Sequence, residues 1–83
     1  MIYEIIYAET VQKQIHKLPR EVQERVLSAL ERIRIRPEAY VKKLVGCPGY
    51  RLRAGDYRVI MDIDAGKLLI LVIKVGHRKN IYG

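Results

Sequence analysis

The order of apolar and polar positions changes period twice along this chain. Ile2 to Tyr7 is dense in β-branched and aromatic residues and predicts a strand. Val11, Ile15 and Leu18 then recur at helical spacing, with Thr10 placed to cap the helix and Pro19 to stop it. A second helix is predicted from Arg20, with Val22, Val26, Leu30 and Ile33 as its apolar stripe. Leu27 and Ala29 widen that stripe, and Pro37 ends the helix. The two helices form a hairpin, each with one face to bury. Residues 38–49 read as a connector carrying the turn sequence Gly46-Cys47-Pro48-Gly49.

From Tyr50 the period becomes two. Tyr50 to Ala54 alternates, Gly55-Asp56 marks a turn, and Tyr57 to Ile63 alternates again. Asp64-Ala65-Gly66 marks another tight turn. Lys67 to Val75 is nearly continuous in apolar residues, the pattern of a central strand covered on both faces. The predicted order is β-α-α-β-β-β, an α+β domain with an N-terminal strand, a two-helix hairpin and an antiparallel β-meander, the whole forming one antiparallel sheet. All 83 residues make one domain, with little spare core for a second site or a deep pocket.

Charge adds a direction. The net charge is +7. Residues 1–41 hold seven Lys/Arg against six Asp/Glu, whereas residues 42–83 hold nine against three. This imbalance points to a polyanion, with nucleic acid ahead of an acidic protein and a membrane surface last. One cysteine, Cys47, offers no disulfide and fits a reducing compartment; it reads as a turn residue. The longest apolar run, Leu68 to Ile73, is too short to span a bilayer, so the expectation is a soluble cytoplasmic protein. The two histidines and the scattered acids share no ligand spacing, so no metal and no cofactor are expected.

Alternation places the chemistry. If Leu52, Val59 and Met61 face the core, then Arg51, Arg53 and Arg58 face away from it together on neighbouring strands. Arg78 follows the last strand, close enough to join them. A solvated basic face is the ordinary explanation for any one of these arginines. For the set, a site for an anion is the better one, because guanidiniums held together repel unless something anionic lies between them. Asp56 and Asp62 are the only acids placed to neutralise them locally. Tyr82 follows Arg78 by four residues in a glycine-flanked tail; a phenol beside cations can act as a base or stack on a nucleobase. Tyr3, Tyr7 and Tyr40 read as core or rim aromatics, Tyr50 and Tyr57 as packing residues at strand starts, His77 as a turn histidine and His16 as a surface residue.

Taken together, Leu44-x-Gly46, then Tyr50-Arg51-Leu52-Arg53-x-Gly55-Asp56-Tyr57-Arg58-Val59, then Val75-Gly76-His77-Arg78-x-x-x-Tyr82 resembles the RelE/ParE toxin superfamily over the whole chain. That resemblance implies a RelE-like microbial RNase fold and a toxin of a type II toxin–antitoxin system. RelE-like members cut mRNA in the ribosomal A site without metal, and a cognate antitoxin wraps around each and blocks its basic surface. By resemblance, Arg58 and Arg78 grip the scissile phosphate, Arg51 and Arg53 hold the backbone or help activate the attacking hydroxyl, and Tyr82 stacks or exchanges protons. Lys42, Lys43, His77 and Lys79 are the further RNA-contact candidates. The implied partners are an antitoxin, the ribosome and mRNA. Val45 stands where some relatives carry a basic residue, and no strong histidine or glutamate base is evident. Two rival readings stay open: a ParE-like inhibitor of DNA gyrase, and a degenerate toxin that binds only its antitoxin or RNA.

Overall fold

The computed structural model describes residues 2–77 and 79. Its elements are β1 (Glu4–Tyr7), α1 (Glu9–His16), α2 (Arg20–Arg32), a 3-10 turn (Pro37–Ala39), β2 (Lys42–Lys43), β3 (Tyr50–Ala54), β4 (Tyr57–Asp64) and β5 (Leu69–His77). The expected order of strand, helical hairpin and three-strand meander is present. A short strand, β2, is added within the stretch expected to be only a connector. The five strands lie in the order β1-β5-β4-β3-β2.

The sheet is mixed rather than wholly antiparallel. β2 to β5 pair antiparallel with their neighbours, but β1 runs parallel to β5, with Glu4 opposite Leu69 and Tyr7 opposite Val72. A parallel pair needs a long crossover, and here all the intervening chain supplies it. Hydrogen bonds close the pairing at both ends, from the Glu4 N–H to the Leu68 carbonyl (2.9 Å) and from the Ala8 N–H to the Val72 carbonyl (3.0 Å). Leu68 turns into β5 with φ of 52°, a left-handed backbone that costs a leucine about 1–2 kcal/mol. Its side chain packs against the core and its carbonyl holds β1, which together offset that cost.

Both helices cover the same side of the sheet, α1 over β5 and α2 over β3. Val11 and Ile15 of α1, and Val26, Leu30 and the capping Ile33 of α2, are buried against Leu52, Ala54, Val59, Met61, Ile70, Val72 and Val75. Leu27 lies off this stripe, 39% exposed. The helix boundaries differ from expectation. The N-cap of α1 is Ala8, with Thr10 inside the first turn, and no side chain caps the end. α2 stops at Arg32, well before Pro37, whose fixed φ instead begins the 3-10 turn and whose ring is fully buried.

β5 is central, between β1 and β4, but only one of its faces is covered. Ile70, Val72 and Val75 are buried, while Leu71 and Ile73 are exposed. The apolar run concealed an alternation: its second set of apolar residues lies on the open face of the sheet, beside Ile6 of β1. β5 also carries an irregularity, since Ile60 pairs with Lys74 and Met61 with Val72. Just beyond it the Val75 N–H donates to the Gln14 Oε1 at 2.9 Å, so α1 satisfies a strand donor that β1 is too short to reach. Gln14→Leu should leave that N–H without a partner and lower stability by about 1–3 kcal/mol. A urea melt checks this, and an unchanged midpoint would mean that water takes over the bond.

Candidate functional site: a cationic pocket on the open sheet face

The site is built on the β3–β4 hairpin. Leu52 and Ala54 are buried in β3, so Arg51 and Arg53 take the opposite face; Val59 and Met61 are buried in β4, so Arg58 does likewise. Arg53 stands directly across from Arg58, and Arg51 from Ile60. The turn between the strands holds Gly55 at φ 63°. A Cβ there would lie 3.1 Å from the Nη1 of Arg25 in α2, whose side chain would have to shift slightly. The positive φ is therefore the main reason for glycine at this turn.

β2 adds a fourth cation. Lys42 pairs with Arg51 and Lys43 with Tyr50. Arg51 is on the open face and Tyr50 packs on the core, so the two lysines point to opposite sides of the sheet. A loop positions this strand: the Leu44 N–H donates to the Gly49 carbonyl at 3.1 Å, and Gly49 is buried with φ of 114°. A Cβ at Gly49 would sit a tight 3.2 Å from the Met61 carbonyl oxygen, and the positive φ would strain any other residue, so glycine suits the loop's approach to β4.

The result is a concave pocket lined by Tyr40, Lys42, Arg51, Leu52, Arg53 and Arg58. Three of the expected arginines meet, as does one of the two lysines. Among the described residues, the ion pairs are Arg20–Glu24 and Arg34–Glu31, so no carboxylate neutralises Lys42, Arg53 or Arg58. Asp62 turns its Oδ1 to the Ile63 N–H (3.0 Å) instead. Like charges held directly across a strand pair are unfavourable by a few tenths to about 1 kcal/mol. An arrangement of this kind is suited to an anion with several oxygens, which each guanidinium can meet with two parallel hydrogen bonds.

Other expected site residues lie elsewhere. His77 pairs with Tyr57, and their rings meet edge to face at 5.4 Å, on the helix-bearing side of the sheet. Alternation explains this, since Gly76, not His77, is opposite Arg58. The His77 Nδ1 accepts the Lys79 N–H at 3.3 Å, and Lys79 is exposed. Lys43, His77 and Lys79 are therefore not among the residues that line the pocket. Arg78 and Tyr82 lie outside the described residues. Tyr40 is an unexpected member: the sequence suggests only a core or rim aromatic, and the structure places it, 49% exposed, in the pocket wall. Its proximity to Lys42 in the chain was the only available signal.

A second groove runs between the helices, lined by Tyr7, Gln12, Ile15, His16, Gln23 and Leu27. Burial raises the Tyr7 phenol pKa above its ordinary value; nearby Glu31 adds to the rise and Arg34 opposes it. No described helix is long and apolar enough to cross a membrane.

Fold and site together define a small α+β domain with helices on one sheet face and a cationic pocket on the other. The family model of the ParE toxin of type II toxin–antitoxin systems matches residues 5–82. The chain belongs to this family and is a type II toxin of the RelE/ParE superfamily. Solved structures agree. The RelBE2 toxin–antitoxin complex of Mycobacterium tuberculosis contains a chain 25% identical, aligned over 94% of this chain and 100% of that one, with a TM-score of 0.86. The archaeal RelE–RelB complex of Pyrococcus horikoshii gives 30% identity over 98% and 100%, with a TM-score of 0.80. The isolated RelE toxin of Escherichia coli gives 31% over 90% and 83%, with a TM-score of 0.74. No curated protein sequence matches.

Proposed function

We propose that this toxin is a metal-independent endoribonuclease that cuts mRNA in the ribosomal A site. The observation that carries the reading is the meeting of Lys42, Arg51, Arg53 and Arg58 at one pocket where, among the described residues, no carboxylate pairs with Lys42, Arg53 or Arg58. In the reaction the RNA 2′-oxygen forms a bond to the adjacent phosphorus, and the bond from phosphorus to the 5′-oxygen of the next nucleotide breaks. The 2′-hydroxyl loses a proton and the departing 5′-oxygen gains one, leaving a 2′,3′-cyclic phosphate and a 5′-hydroxyl. The substrate supplies the nucleophile, so the protein needs no Ser or Cys. Its task is to orient the attack and stabilise the added charge on the phosphorane, which preorganised guanidiniums do well. Arg58 is assigned to the scissile phosphate, Arg51 and Arg53 to the backbone or the attacking hydroxyl, and Lys42 to the flanking RNA. Arg78 and Tyr82 keep the roles that the family resemblance implies.

The relatives in the M. tuberculosis and P. horikoshii structures are bound to antitoxins. We propose a cognate antitoxin here too, with acidic groups over the arginines and apolar side chains on neighbouring Ile6, Leu71 and Ile73. Bound in this way it would exclude RNA.

The matched family model is that of ParE, which favours a second reading: a gyrase inhibitor that cuts nothing. Primer extension on mRNA from cells expressing the chain separates the two. Cuts in phase with codons, confined to translated message, are expected. Intact message with accumulating DNA breaks would instead establish the gyrase inhibitor.

A further inference from the structure

We infer that Tyr40 is a nucleobase platform, the aromatic wall against which a base beside the bound phosphate stacks. This rests on the nuclease reading of the same pocket and goes beyond it, since a cationic cluster by itself holds only the backbone.

Burial separates Tyr40 from the other described tyrosines. Tyr3 is 8% exposed, and Tyr7, Tyr50 and Tyr57 pack on the core. Tyr40 alone among them is exposed, at 49%, and is not part of that packing. Its backbone is nonetheless fixed. The Tyr40 and Val41 N–H groups both donate to the Pro37 carbonyl, at 3.0 and 3.2 Å, and the Ala39 N–H donates to the Arg36 carbonyl at 3.2 Å. Pro37 is itself fully buried, so the turn is anchored in the core. Two residues further on, Lys42 enters the sheet opposite Arg51. An exposed ring is thus carried on a rigid turn into the wall of a pocket whose other side chains are mostly cationic.

Single strands are bound by this combination: cations follow the phosphates, and an aromatic face accepts whichever base lies beside them. Stacking needs only the ring, so the phenol oxygen should be dispensable, and the platform should tolerate any base while favouring purines for their larger area.

The test is binding of a short single-stranded RNA carrying 2-aminopurine, with a 2′-deoxy nucleotide at the expected cleavage point so that it stays intact. For the full chain, binding should quench the fluorescence. Tyr40→Ala should weaken binding roughly 5- to 150-fold, the range for loss of one stacked base, and abolish the quench. Tyr40→Phe should retain both. An Ala variant that binds and quenches like the parent overturns the platform while leaving the nuclease reading intact. So does a Phe variant as defective as Ala, because the hydroxyl and not the ring would then be in use. If the parent chain binds no RNA and leaves mRNA uncut, both readings fall. Since Tyr40 lies outside the core, the variants should melt with the parent, and a thermal scan verifies that the comparison is between folded proteins.

Discussion

Arg58→Ala is expected to lower RNA cleavage by about 10²–10³-fold, the usual cost of removing one preorganised group that stabilises developing charge. Growth arrest on expression should disappear with it. The domain should remain folded, because Arg58 is on the open face while its neighbours Val59 and Tyr57 face the core. Stability should if anything rise slightly, since Arg53 directly opposite loses a like-charged neighbour. Arg58→Lys keeps the charge and loses the planar fork, so its activity should fall between the two. Primer extension, growth and thermal unfolding measured on the same variants decide the matter. A folded Arg58→Ala chain that still cuts message at the same sites would remove Arg58 from the phosphate site.

The second large effect concerns salt. Each cation that neutralises a phosphate releases a counterion, and for single strands the logarithm of affinity falls by about 0.7 per such contact for each tenfold rise in salt. The four pocket cations, Lys42, Arg51, Arg53 and Arg58, contribute about −2.8 to the slope, and Arg78 in its implied role adds about −0.7. Affinity for a non-cleavable RNA should then drop roughly 130-fold between 50 and 200 mM salt. Arg53→Ala and Arg58→Ala should each make the slope shallower by about 0.7. A slope near zero in the parent chain would mean that the pocket does not hold the phosphate backbone, whatever its charge. Tyr40→Ala should weaken binding without changing the slope, because stacking releases no counterion. The arginine and tyrosine variants therefore separate the two contributions to binding in one titration series.

The antitoxin reading meets the same surface. The open sheet face carries cations at the β2–β4 end and exposed Leu71, Ile73 and Ile6 at the β5–β1 end. No described helix covers these apolar residues. A partner that buries them and pairs with the arginines would inhibit by occupying the RNA site rather than by deforming it.

Local pattern by itself determined the two helices, the strands β1 and β3 to β5, and the face that Arg51, Arg53 and Arg58 take. Period-two alternation from Tyr50 to Met61 sends Arg51, Arg53 and Arg58 to one side whatever the rest of the chain does, because successive strand side chains must point oppositely. The helical stripes likewise marked Val11, Val26 and Leu30 as core before any packing was known. Tertiary structure decided what depends on contacts distant in sequence. Lys42 and Lys43 were indistinguishable until a two-residue strand, far too short to show a period, paired them with Arg51 and Tyr50. His77 was separated from the arginines only by its register opposite Tyr57. The continuous apolar run of β5 could not reveal that one of its faces stays open, since the covering elements belong to other parts of the chain. Tyr40 became a site residue through a turn anchored by buried Pro37, and no local propensity encodes the destination of an exposed ring.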